Sequence, residues 1–162
     1  MTVRALVLAL LAALVLVVAT GCGGGKSEPS REDYAKAVVL NRDRVDFVLA
    51  RITRAQSVDE LLTRMEEAST VIERAAGELD DTGAPSEYQP EADNLVKQMR
   101  QLGVDIKATA DQAQQPGFEG LVTDPHLQGL SFDSWTKMNK ALAGLAGKGI
   151  KVAIIQPKAA PS

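Results

Sequence analysis

A single cysteine, Cys22, and a single histidine, His126, occur in the 162 residues. One cysteine closes no disulfide within the chain, and one histidine with no second histidine beside it falls short of a transition-metal site. Aromatic residues make up 4%, and runs of strand-forming residues are scarce, which disfavours a β-built fold. Basic residues are not in excess: 18 Lys and Arg stand against 21 Asp and Glu, whereas nucleic acid asks for clustered positive charge to displace counterions from phosphates. Signs also alternate along the chain, as in Arg42, Asp43, Arg44 and Asp46, so a solvated surface without a one-sign field is expected. No apolar run reaches the roughly 20 residues that span a bilayer. What the chain does have, in its middle, is Ala, Leu, Arg, Glu and Gln, a composition that favours helix.

The longest apolar run covers 5–20 and follows Arg4, the only charge before it. A short positive start, a core of this length and small residues after it have the form of a secretion signal. Ala19-Thr20-Gly21-Cys22 resembles the lipobox of bacterial lipoproteins, with Ala19 where Leu is usual. The resemblance implies that 1–21 are removed and that Cys22 carries a diacylglyceryl group on its sulfur. It also implies that the chain is held on the extracytoplasmic face of the cell membrane. Two or more acyl chains anchor stably where one does not. From Cys22 onward 141 residues remain, one domain in size. They carry 17 Lys and Arg against 21 Asp and Glu, a formal charge of −4. With Cys22 lipidated no thiolate is left for catalysis. Gly23-Gly24-Gly25-Lys26-Ser27 has the look of a phosphate loop, but Thr20 stands where that motif needs its first glycine. Residues 22–30 read better as a flexible tether, with a root-mean-square span of about 15 Å.

Ser30 with Asp33 has the shape of a helix start, and Tyr34, Val38, Asn41, Val45, Val48, Ile52 and Ala55 follow at spacings of four and three. Ser57 with Glu60 repeats the device before Val58, Leu61, Met65, Ala68, Ile72, Ala75 and Leu79. Only Gln56 and Ser57 separate the two stripes, so the helices should fold back as antiparallel neighbours. After the breakers at 81–85, a third stripe runs through Tyr88, Ala92, Leu95, Met99, Leu102, Ile106, Ala110 and Ala113, with Pro90 in its first turn. The connection 116–130 is longer than bundles require and is kept irregular by Gly117, Gly120, Pro125 and Gly129. Ser131 is read as the cap of a fourth helix carrying Phe132, Trp135, Met138, Leu142 and Leu145. Gly147 and Gly149 end that helix, with Ile150 placed for a C-cap contact. Residues 151–155 should lie extended against the bundle, and 156–162 look frayed. The expected fold is all-α, an up-down bundle of three long amphipathic helices and one shorter C-terminal helix over 31–155. A lipobox, paired amphipathic helices and a Pro-initiated third helix together resemble helical-bundle lipoproteins of high-GC Gram-positive bacteria. That resemblance brings no activity with it.

Chemistry is sparse. Asp124, His126 and Ser131 or Ser134 could pair as acid, base and nucleophile only if the fold placed them, and no Gly-x-Ser-x-Gly elbow is present. Glu66-Glu67 and Asp80-Asp81 lack the alternating oxygen ligands of a calcium loop. The chain is therefore read as no enzyme, with no metal and no cofactor. Asn41 and Asn139 sit where they can face inward, either as register-fixing core amides or as polar contacts in a pocket walled by Trp135, Tyr34 and Tyr88. The long loop and the start of helix four gather Phe118, His126, Phe132 and Trp135, a candidate binding site or simply a cap on the bundle. Two functions stand: a noncatalytic module that contacts another envelope protein or acts as a spacer, or a carrier or sensor of an apolar small molecule or lipid inside the bundle. Neither involves nucleic acid.

Overall fold

Ser30 and Ser57 begin two helices by the same device. Each serine is extended, and its Oγ accepts the N–H three places on, from Asp33 at 3.1 Å and from Glu60 at 3.2 Å, so one of the amides left open at a helix start is satisfied. Glu60 in turn accepts the Gln56 N–H at 2.7 Å. The structure, a computed structural model, describes residues 29–115 and 132–156. Among these, α1 spans Arg31–Ile52, α2 Val58–Thr82, α3 Gln89–Ala113 and α4 Asp133–Gly147, with one turn of 3-10 helix at Ser86–Tyr88. The protein is all-α, with three long helices packed antiparallel and a shorter fourth. No described helix is long and apolar enough to cross a membrane.

Most of the three stripes lies in the core, joined there by Trp135, Met138, Leu142 and Leu145 of α4. Tyr34, Val38, Val45, Ile72, Ala75, Tyr88, Leu102 and Ile106 are all at most 1% exposed, and α1 packs on α2, α2 on α3, and α3 on α4. Gly103 sets how closely α2 and α3 approach, because a Cβ there would come within 3.3 Å of the Ser69 carbonyl oxygen. Gly83 turns the chain between α2 and α3 at φ +70°, where other residues are strained.

Three details differ from the sequence expectation. α1 ends at Ile52 and not at Ala55: Arg54 and Ala55 donate to Arg51 and Ile52 in tight i−3 turns, and Arg64 of α2 takes the Arg51 carbonyl. The connection is therefore 53–57, not two residues. Arg51 stands level with Arg64 and Glu67, so the first turn of α2 projects past the end of α1. For that reason Val58 is 41% exposed instead of heading a buried stripe. At α4, Phe132 rather than Ser131 holds the cap position, and it makes no side-chain cap bond. Ser131 itself lies outside the described residues.

The end of α4 follows the expected chemistry. Gly149 at φ +92° lets its N–H reach Ala146 and the Ile150 N–H reach Leu145, the paired bonds of a Schellman cap, while Ile150 turns into the core at 2% exposure. Residues 150–155 then run back along the bundle as a strap. Arg42 of α1 donates to the Ala153 carbonyl at 3.1 Å and the Ile154 carbonyl at 3.0 Å, and Asn139 of α4 exchanges two 2.9 Å bonds with the Ile155 backbone. With Ile155 at 1% exposure, the strap closes the seam between α1 and α4.

Candidate functional site

Of the residues picked out in the sequence, Cys22, Phe118 and His126 lie outside the described residues. Phe132 is half-buried and Trp135 is 7% exposed, packed in the core from the first turn of α4. Ser134 beside it is buried and donates its hydroxyl to Asp105 of α3, a carboxylate set near a helix N-terminus where negative charge is favoured. Asn41 is buried. Its amide donates to the Ala37 carbonyl at 3.1 Å, and its oxygen accepts from Arg44, which also reaches Glu78 of α2. The Asn41 side chain thus orients the arginine that ties α1 to α2. Asn139 is a clamp on the strap.

Tyr34 and Tyr88 stack on each other, centroids 6.0 Å apart, but not with Trp135. Lys148, just past α4, donates to the Glu87 carbonyl and to Glu91, at the start of α3. Trp135 is thirteen residues back along α4, about 20 Å away at 1.5 Å per residue. The three aromatics therefore do not wall one pocket. Beside Ile155, where α1 to α4 meet, the open space is about 10 Å³, lined by Val38, Leu79, Met99, Met138 and Leu142 among others. A ligand pocket needs on the order of 300 Å³ or more.

The polar concentration is at the end of the bundle where α1 begins. The Arg31 guanidinium lies 5.7 Å from the Tyr88 ring and donates to the Lys148 carbonyl. The Lys148 ammonium bonded to Glu91 holds that carboxyl below its usual range. Beneath this lid the Tyr34 and Tyr88 hydroxyls are buried with no hydrogen-bond partner among the described residues. Burial pushes the Tyr34 phenol well above its usual value, with the Asp93 and Glu91 carboxylates adding to the rise. Burial likewise raises Tyr88, and the neighbouring Glu87 carboxylate adds to the rise.

Outside the core, a shallow groove of about 680 Å³ runs between α1 and the strap, bordered by Arg31, Ala35, Lys36, Val39, Leu40 and Lys151. Leu40 is 52% exposed, and Phe47, two turns on along the same side of α1, is 64% exposed. Sequence reasoning missed both, because the buried stripe of α1 absorbs its apolar pattern. The one available signal was that Leu40 and Phe47 fall off that stripe and are seven residues apart. Set against models of protein families, curated proteins and solved structures, the chain has no match in any of the three comparisons.

Proposed function

We propose that this chain is a lipid-anchored lipoprotein of the extracytoplasmic face of the cell membrane, whose helical bundle is a noncatalytic module for contact with another envelope component or for spacing. The anchor rests on Ala19-Thr20-Gly21-Cys22 after an apolar run. The observation that carries the module is the contrast between a core plugged by its own strap and an outer face of α1 that leaves Leu40 and Phe47 in solvent. Apolar side chains left on a surface mark contact with something outside. The carrier reading needs interior volume that the space beside Ile155 does not offer; Phe118 and His126 lie outside the described residues.

The test is metabolic labelling with a fatty acid. The parent chain should take up label and lose 1–21, while Cys22→Ser should take up none and stay unprocessed. Label retained by the substituted chain overturns the anchor. For the module, a photocrosslinker at Phe47 in the native envelope should give adducts, whether to an envelope protein or to lipid, that one placed at the exposed Arg74 of α2 does not. Equal adducts at both positions would remove α1 as the contact face.

A further inference from the structure

The charges that alternate along the sequence are sorted by the fold. Between 31 and 54, six Arg and Lys stand against four Asp and Glu, and between 133 and 156 four Lys stand against Asp133 alone. Across 58–82 the balance reverses, with two Arg against eight Asp and Glu, and 89–113 is close to neutral with three against four. The strap joins α1 to α4, so these two helices and the strap form one side of the bundle, net +5, while α2 and α3 form the other, net −7. Several cations on the positive side have their charge balanced within the bundle, as Arg44 by Glu78 and Arg51 by Glu67. Arg54, Lys140 and Lys151 are exposed and make no ion pair among the described residues. The apolar side chains left in solvent on this side are Leu40, Phe47 and Ile154. The groove past Arg31 and Lys151 opens on the same side.

We propose that this α1–strap–α4 face lies flat on the anionic phospholipid surface of the membrane that holds the anchor, a proposal that rests on the lipoprotein reading above. Free cations beside exposed apolar side chains match the chemistry of that surface: ammonium and guanidinium groups pair with lipid phosphates, and Leu40, Phe47 and Ile154 reach the boundary of headgroups and acyl chains. The tether supports the same orientation. It joins the bundle at Arg31, on this face, and Cys22 is only eight residues before Ser30. Eight residues reach at most about 28 Å even when fully extended, so an anchor at Cys22 keeps this end of the domain near the surface. The acidic α2 side then points away from the lipid, where like charge would otherwise repel it.

The experiment uses the processed full chain, purified from membranes and reconstituted into vesicles of phosphatidylcholine alone or with a third phosphatidylglycerol. Phe47→Cys or Arg74→Cys carries a fluorophore read with a neutral water-soluble quencher. The label at 47 should be shielded several-fold in the anionic vesicles and not in the neutral ones, with shielding lost in high salt as the Debye length shrinks to about 3 Å. The label at 74 should stay open in both. Lys140→Glu with Lys151→Glu should cut the docked fraction about tenfold or more, since each cation near an anionic surface contributes about fivefold. Lys97→Glu with Arg74→Glu, an equal change of charge on the other side, should not. A label at 47 equally open in both lipids, shielding at 74, or equal effects of the two double variants overturns the proposal. Failure of the anchor shows separately: Cys22 would then take a second fluorophore and neutral vesicles would not sediment the chain, while anionic vesicles would still report on the face.

Discussion

At the scale of single residues, the sharpest feature is the buried Tyr34 phenol, whose hydroxyl has no hydrogen-bond partner among the described residues. A tyrosine hydroxyl taken from water and left unbonded costs about 1–3 kcal/mol, so removing it is favourable where the ring stays packed. Tyr34→Phe should therefore raise stability at neutral pH by about 1 kcal/mol or more in urea titration, and a loss of that size would show the hydroxyl to be bonded. The pH dependence follows from the same burial. Tyr34 titrates near 10.0 when unfolded and higher when folded, so its contribution is complete below pH 10 and is lost as pH rises from there toward the folded value. Stability should fall on the alkaline side of pH 10, less steeply in Tyr34→Phe than in the parent, with Tyr88 supplying the remainder. Tyr34 and Tyr88 were legible as core positions from spacing alone. Their stacking was not, because the two are 54 positions apart and spacing gives no contacts between elements.

At the scale of elements, the stripes predicted the helices and the strap predicted itself only in part. Ile72 is 0% exposed, and Ile72→Asp should cost several kcal/mol, enough to unfold a marginal domain, as followed by circular dichroism. An Ile72→Asp chain as stable as its parent would show the register of α2 to be wrong. The strap depends on two side chains that imitate backbone. Asn139→Ala removes both of its bonds to Ile155 and should cost about 1–3 kcal/mol. It should also speed tryptic cleavage after Lys151, which a merely destabilised core elsewhere would not do selectively. That 151–155 lie against the bundle was readable from their apolar content. That Arg42 holds them was not, since in sequence Arg42 belongs to an alternating charged stretch that looks wholly solvated. The early end of α1 was hidden for a similar reason, because Ala55 fits the spacing and only the Arg64 contact shows where the helix stops.

At the scale of the whole molecule, the strap decides whether the bundle is closed. A stop codon after Gly149 deletes Ile150 and Ile155, each contributing about 1.5–3 kcal/mol by burial, and opens the seam between α1 and α4. The truncated chain should lose cooperative thermal unfolding, and a melting transition unchanged from the parent would make the strap an ornament. The same closure creates the two-sided charge distribution, because without the strap α1 and α4 would not share a face.

The sequence by itself determined the helical class, the three buried stripes, the caps at Ser30 and Ser57 and the stop at Gly149. These are consequences of spacing and local hydrogen bonding, which act within a few residues. It also carried the apolar run 5–20 and Ala19-Thr20-Gly21-Cys22, from which the anchor is proposed. Tertiary structure alone decided that Asn139 grips the strap instead of lining a pocket, that Trp135 and the tyrosine pair sit at opposite ends, and that charges alternating along the chain become one positive and one negative side. The physical reason is common to all three: each depends on which helix stands beside which, and antiparallel packing brings together residues that no local pattern relates.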